Sequence, residues 1–442
     1  MNKQAWIERS AQLGLEGLEI AQTRQTSRSL QWFDHTMDSF TTSRILSTSL
    51  RAMANGKIVS TSLEKIEDED MDEILGQLRD NADRISESEK DVLVGPMECE
   101  ETISKKTWKP ADPARIKEVL ASLEDKLLAA DSRVSLVNEL SFESAEVSSE
   151  LTNSLGTEVS SAYQYQVIAA QITMRDNGEV YDDYRVEIVY DLDDFDQDAF
   201  VKRLVTRVQD QIGAKSLSSR TCKVIFNNEA MSTLFSCLEG MFYGTSIARG
   251  ISPLCGKVGQ KIFSDQITIV DDPRNEDALF LRNYDDEGRP TYTKTVVRDG
   301  VFETVLHNTK SALKMDAEST GNGFRSGGGA TTVSSMNLYI VSGPNSFDSL
   351  LKKMDNGVVI SELAGMHAGI DFVSTNFSLQ AKGYLVENGR KVRPLTLITV
   401  AGNFIDLMNH VEAVGDDLKW EMRSTAAPSI LFEEAAVGGN EE

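Results

Sequence analysis

The chain has 442 residues, too many for one hydrophobic core, and its 40% hydrophobic and 26% charged content reads as a soluble globular protein of two or three domains. Its 45 Lys and Arg against 69 Asp and Glu give a formal net charge of −24, which counts against a phosphate backbone or an anionic membrane as the main partner. No apolar run is long enough for a membrane-spanning helix or a signal peptide, so neither nucleic acid nor membrane is expected and a cytoplasmic location is.

Residues 2 to 22 place Trp6, Ile7, Leu13, Leu18 and Ile20 at helical spacing. Strand-like sequence follows, and Asn55-Gly56 between 45–53 and 57–62 is a type I′ hairpin signal. An acidic cluster, Glu67 to Asp70 with Asp72 and Glu73, then opens a helix with Met71, Ile74, Leu75, Leu78, Ala82 and Ile85 on its apolar face. Solvated carboxylates at a helix start, favoured by the macrodipole, account for this cluster better than a cation site.

After a linker near Trp108-Lys109-Pro110 and a helix from Pro113 to about Ala130, the same plan returns. Residues 165–174 and 179–190 read as strands around Asn177-Gly178. Asp191, Asp193, Asp194, Asp196 and Asp198 lead into a helix with Phe200, Val201, Leu204, Val205, Val208 and Ile212 on one face. The repeated order of hairpin, acidic lead-in and amphipathic helix is a structural pseudo-repeat.

From Thr221 the texture changes to one helix, roughly 228 to 244, and many short β-type runs broken by Gly, Asn and Asp. Runs at 261–270, 291–297, 337–341, 357–362, 377–387 and 393–400 are interrupted by helices at 346–354 and 403–414. The predicted fold is α+β. An N-terminal α/β region of two ββα-like modules, 1–108 and 109–218, precedes a β-rich domain with packed helices, 219–442, that closes most of its edges.

The four cysteines, Cys99, Cys222, Cys237 and Cys255, include no Cys-x-x-Cys pair, so free thiols are expected, with Cys237 buried in a helical pattern. His35, His307, His367 and His410 have no local ligand spacing, and no Gly-x-Ser-x-Gly elbow is present. Tyr284-Asp285-Asp286-Glu287-Gly288 reads as a turn rather than a metal loop. Thr320-Gly321-Asn322-Gly323-Phe324-Arg325, running into Ser326 and three glycines, reads either as a wide mobile loop or as a backbone contact for a ligand. In the second case Arg325 could clamp a carboxylate.

On the helix after Phe226, an apolar stripe of Met231, Leu234, Phe235, Leu238, Met241 and Phe242 leaves Glu229, Thr233 and Ser236 on a polar face. Asn227 or Asn228 would cap it, and two hydroxyls with one carboxylate do not hold zinc.

Taken in order, several motifs carry a resemblance. They are Gly256-Lys257-Val258-Gly259-Gln260-Lys261-Ile262-Phe263, Asp271-Asp272-Pro273, Asp285-Asp286-Glu287-Gly288, Thr320 to Arg325, Phe377-Ser378, Gly383-Tyr384 to Gly389, Gly402-Asn403 and Ala427-Pro428-Ser429. This order resembles the TldD/PmbA family, which contains members named metalloproteases and modulators of DNA gyrase. The active branch would carry His-Glu-x-x-x-His where this chain has Asn228, Glu229 and Thr233, and a late cysteine where none follows Cys255. Thr375-Asn376 stands where the family usually has Gly-Asp.

The resemblance therefore implies a PmbA/TldE-type branch, cytoplasmic and dimeric, within a peptide-processing metalloprotease system. It implies no catalytic or metal-binding residue in this chain, with zinc carried only by a TldD-type partner subunit. Unfolded peptide would meet Gly321, Asn322, Gly323, Arg325, Asn376, Ser378 and Glu229, the groove candidates. The alternatives are a stand-alone homodimer that binds peptides, and a metallopeptidase using other ligands such as His307, His367 and Glu229.

Overall fold

The computed structural model of the chain describes residues 1–84, 90–104, 106–325 and 329–440. Ile85, Ser326, Gly327 and Gly328, named in the sequence reading, lie outside them.

The N-terminal half is built on one six-stranded antiparallel sheet. Its strands are β1 (Gly17–Phe33), β2 (Thr36–Ala54), β3 (Lys57–Leu63), β4 (Val134–Asn153), β5 (Glu158–Asp176) and β6 (Glu179–Ile188), in the order β3-β2-β1-β4-β5-β6. The order is symmetric about the β1–β4 pair, which runs from Glu19↔Asn153 to Gln31↔Ser141. Helices α1 (Lys3–Gln12) and α2 (Met71–Arg84) flank the first three strands in sequence, and α3 (Pro113–Ala130) and α4 (Gln197–Gln209) flank the second three. The pseudo-repeat is thus αβββα, one helix and one long strand larger than the predicted ββα unit, and both copies share one sheet.

Both predicted turns form: Ala54 pairs with Lys57 and Asp176 with Glu179, and Asn55, Gly56, Asn177 and Gly178 all have positive φ. That is the I′ geometry whose twist matches the flanking strands. Leu18, Ile20 and Leu30 of β1 occupy alternate positions and are fully buried on the helix-covered face. The predicted helical pattern of residues 2 to 22 is accordingly corrected: α1 stops at Gln12, and Leu18 and Ile20 belong to a strand. Beneath α4 the buried Phe200, Val201, Leu204, Val205 and Val208 join α3 in one core, each side chain stabilising by about 1.5–3 kcal/mol as an upper estimate.

The C-terminal half contains β7 (Arg220–Phe226), helix α5 (Asn228–Leu238), β8 (Ile269–Asp271), β9 (Lys294–Arg298), β10 (Val301–Phe302), β11 (Gly323–Arg325), β12 (Thr331–Val333), β13 (Leu338–Ile340), β14 (Gly357–Ala364), β15 (Asn376–Glu387), β16 (Arg390–Asn403), β17 (Val411–Val414), β18 (Thr425–Ala426) and β19 (Ile430–Gly438). One sheet runs β16-β15-β14-β7-β19-β17, and a further β16–β19 pairing closes five of its strands into a ring. A second sheet, β10-β9-β8-β13-β18, shares the large core in which α5 buries its apolar stripe. The expected edge closure is therefore present.

Three predicted elements differ. The helix of 228 to 244 ends at Leu238 and continues as a 3-10 turn, Glu239–Phe242. At Gly244 the ring of His307 sits 2.2 Å from where a Cβ would be, so the backbone is held against that side chain. The run 261–270 is mostly loop, and 403–414 splits into a short helix, Phe404–Asn409, followed by β17 against β19. Cys237 is exposed, since it lies on the polar flank of α5 opposite the stripe.

Candidate functional site

A solvent-open groove lies along β6, which pairs with β5 alone among the described strands and leaves its other edge free. Cross-strand pairing places Asp183, Arg185 and Glu187 on the helix side of the sheet, opposite Ile172, Ala170 and Ile168. There Arg203 of α4 grips Glu187 at 2.6 and 2.8 Å.

The groove has two connected parts that share Glu187, Ile188, Tyr190 and Arg203. The first, about 610 Å³, is bounded by residues 184–188, α4, Glu229 at the start of α5 and the segment Lys419–Arg423. The second, about 630 Å³, continues past Tyr190 between the linker 107–109 and Asp191, Asp194 and Asp196. An edge-to-face contact between Trp420 and Tyr339, centroids 5.6 Å apart, anchors the C-terminal wall.

Where the first part meets α5, the polar face of that helix is fully engaged. Asn227 caps it by accepting from the Ala230 N–H at 2.8 Å. The Asn228 amide donates to the Asp417 carbonyl at 2.8 Å, and the Thr233 hydroxyl donates back to the Glu229 carbonyl at 2.9 Å. Glu229 accepts from Arg207 at 2.8 and 2.9 Å, and Arg207 Nε also lies 3.3 Å from Asp183. Burial works against the Arg207 charge, but Glu229 and Asp183 outweigh it and raise its pKa. Arg423 points to the same face, 3.4 Å from both the Glu229 carbonyl and Thr233 Oγ1.

This set does not fit a zinc ion. An amide and a hydroxyl replace two imidazoles, the carboxylate is in an ion pair, and two guanidinium groups stand where a dication would need donors. Among the described residues no group of three or more His, Cys, Asp or Glu is arranged to hold a metal. The histidines do not supply one. His307 is buried, its Nδ1 is 3.0 Å from Ser311 Oγ, and burial lowers its pKa to about 4. His410 Nδ1 contacts the Asp406 carbonyl at 2.7 Å, and His35 Nδ1 lies 3.2 Å from Glu124.

The remaining sequence candidates are spread over other elements. Gly321, Asn322 and Gly323 are buried rather than forming a wide loop. Asn322 donates to Asp271 at 2.8 Å and to the Ser334 carbonyl at 3.0 Å, and the Gly323 N–H donates to Asp285 at 2.9 Å. A Cβ at residue 323 would sit 2.6 Å from the Glu287 carboxylate, which explains glycine there. Arg325 donates to Glu19 at 2.6 Å and to the carbonyls of Gly329 and Asp286 at 2.9 and 3.2 Å. Asn376 and Ser378 are exposed on β15, and Asn376 Oδ1 accepts from Asn403 at 2.9 Å. Of all these candidates, Glu229 is the one that borders the groove along β6.

Sequence reasoning missed two features. One is the groove itself, because nothing local marks β6 as an edge strand. The other is a buried ionic seam between the two halves. Glu19 and Arg51 face each other across β1 and β2 at 3.1 Å, and Arg51 reaches Asp91 at 3.3 Å and Glu287 at 3.9 Å. Burial opposes the charge of Arg51, while Glu19, Glu287 and Asp91 raise its pKa. Burial likewise raises that of Asp91. Asp285, in the predicted 284–288 turn, accepts N–H groups from Glu287, Arg289 and Gly323, while burial and the neighbouring Glu287 push its pKa well above the usual carboxylate range.

Residues 219–439 match the PmbA/TldA metallopeptidase C-terminal domain and residues 106–212 the corresponding central domain. A metalloprotease PmbA homolog from Buchnera aphidicola is 30% identical over 240 residues, 54% of this chain and 50% of that relative's length. A Thermotoga maritima crystal structure, described as that of a candidate modulator of a DNA gyrase, superposes with a TM-score of 0.86 at 29% identity, covering 99% of each chain. The structure of TldE from Thermococcus kodakarensis gives 0.89 at 24% identity over 99% of this chain and 100% of that one, a likeness of fold.

Proposed function

Since the chain belongs to the PmbA/TldD metallopeptidase family and is a protease-related protein of TldD/PmbA type, we propose that it is a non-catalytic, TldE-type subunit that holds unfolded peptide for a zinc-bearing TldD-type subunit. The observation that carries this reading is the state of α5. The helix begins beside an open groove, yet its Asn228, Glu229 and Thr233 are committed to Asp417, Arg207 and the helix backbone. The groove runs beside a free strand edge, where an extended peptide can add as a further strand and be held through its main chain whatever its sequence. No helix among the described residues is long and apolar enough to cross a membrane, in keeping with a peptide substrate in aqueous solution.

The experiment is to assay the purified chain and a TldD-type chain from the same source, separately and mixed, against an unfolded peptide. The reading expects cleavage by the mixture, its loss with a chelator, and no cleavage by this chain alone. Chelator-sensitive cleavage by this chain alone would make it a metallopeptidase with other ligands. A tight homodimer that binds peptide and ignores the TldD-type chain would make it a stand-alone binder.

A further inference from the structure

The groove is electrically polar along its length. At the α5 end Arg185, Arg203, Arg207, Lys419 and Arg423 stand against Glu187, Glu229 and Glu421 of the lining and against Asp183, which is 3.3 Å from Arg207, so five cations meet four carboxylates. At the far end Lys109 alone faces Asp191, Asp194 and Asp196. Lys109 pairs with Asp191 at 3.3 Å and with the neighbouring Asp193 at 2.5 Å, leaving Asp194 and Asp196 exposed. One end of the groove therefore carries an excess of positive charge and the other an excess of negative charge, in a chain that is acidic as a whole.

The strand supplies an independent direction. β6 runs from the cationic end toward the aspartates, since its residues Tyr184 and Arg185 line the first part alone and Val189 and Asp191, just beyond it, line the second alone. A peptide added antiparallel, the more stable pairing, runs the other way. Its amino end then lies among Asp191, Asp194 and Asp196, and its carboxyl end beside Lys419 and Arg423. The span from Tyr184 to Tyr190 is roughly 20 Å at about 3.3 Å per residue, twice the Debye length of about 8–10 Å, so each end acts on its own stretch of peptide.

We infer that the groove binds extended peptides in one orientation, antiparallel to β6, and selects those that are basic toward the amino end and acidic toward the carboxyl end. This rests on the peptide-holding reading above and adds to it a direction and a substrate class. Strand pairing and charge reach the same answer from different observations.

The test uses the full chain and two decapeptides of identical composition, each labelled on a central cysteine. One has lysines in its amino half and glutamates in its carboxyl half, and the other has the reverse order. Fluorescence anisotropy in low salt should show about fivefold tighter binding of the first, as expected of a few exposed charge pairs, with the difference vanishing near molar salt. Lys419→Glu combined with Asp194→Lys, both at exposed positions, should abolish or invert the preference while the sum of binding to the two peptides stays similar. Equal binding of the two peptides, or tighter binding of the second, overturns the orientation and leaves the groove standing. Failure of both to bind overturns the groove as well.

Discussion

Arg325 Nη2 lies 2.6 Å from Glu19 Oε1, joining residues 306 positions apart across the boundary between the N-terminal sheet and the C-terminal domain. Glu19 is fully buried and shares that oxygen with Arg51, while its Oε2 has no hydrogen-bond partner among the described residues. Removing one cation from such a group leaves a buried charge undercompensated, which typically costs about 3–5 kcal/mol. Arg325→Ala should therefore lower the unfolding free energy, measured by urea denaturation, by on the order of 3 kcal/mol, and Arg325→Ala with Glu19→Gln by less than the sum of the two single changes. Additive losses would show that the pair is not coupled. Because the guanidinium is already committed, any effect on peptide handling should follow stability and not precede it.

His307 gives the folded state a defined acid sensitivity. Its imidazole is buried beside Ser311, and burial lowers its pKa from 6.5 to about 4. For a base depressed in this way the unfolded chain binds the proton first. Stability is fully present above pH 6.5 and is lost as pH falls from there toward 4. The loss should be on the order of 2 kcal/mol after allowance for solvent screening. The difference between the unfolding curves of the wild type and His307→Asn, followed from pH 7 to about 4, isolates this contribution from that of the carboxylates. A difference that does not change with pH would rule His307 out as its source.

Thr375 is a buried, β-branched residue with φ of +59°, a left-handed backbone conformation that favours glycine. The left-handed conformation costs a non-glycine residue roughly 1–2 kcal/mol, more readily tolerated here because Oγ1 lies 3.1 Å from Asn403 Oδ1 and can donate to it. Thr375→Gly should raise stability by about 1 kcal/mol, read as a higher melting temperature. Unchanged or lower stability would mean that the hydroxyl contact and the greater flexibility of unfolded glycine outweigh the strain.

How far the sequence discloses this molecule depends on the range of the interaction. Asn55-Gly56 and Asn177-Gly178 announce their hairpins because a two-residue turn with positive φ needs those residue types. The stripe from Met231 to Phe242 announces α5 because burial repeats at the helical period. In contrast, the pairing of Glu19 with Asn153 and of Lys215 with Leu395 joins segments with no local signal for each other. The ionic seam is hidden for the same reason, since Glu19, Arg51, Asp91, Glu287 and Arg325 look in sequence like ordinary surface charges. That Asn228 and Thr233 are an amide and a hydroxyl is legible in the sequence, whereas the arginines that press on that face, Arg207 and Arg423, come from α4 and a distant C-terminal segment.

Those two arginines also bear on metal binding at α5. The wild-type chain should retain no stoichiometric zinc after dialysis. Asn228→His with Thr233→His would restore the family's His-Glu-x-x-x-His pattern around Glu229, yet the electrostatics of the site would remain wrong. Arg423 lies 3.4 Å from Thr233 Oγ1, and Arg207 holds Glu229 at 2.8 Å. A dication about 5 Å from one guanidinium meets a repulsion of about 7 kcal/mol at an effective dielectric near 20, and the part that survives solvent screening at this half-open face cancels much of what two imidazoles contribute. The double-histidine variant should therefore bind zinc weakly or not at all, and adding Arg423→Ala should strengthen binding by a hundredfold or so. Zinc titration of both variants against a chromogenic chelator decides the matter. Tight, stoichiometric zinc in the double variant with Arg207 and Arg423 intact would show that ligand identity alone, and not the cationic wall, keeps metal off this helix.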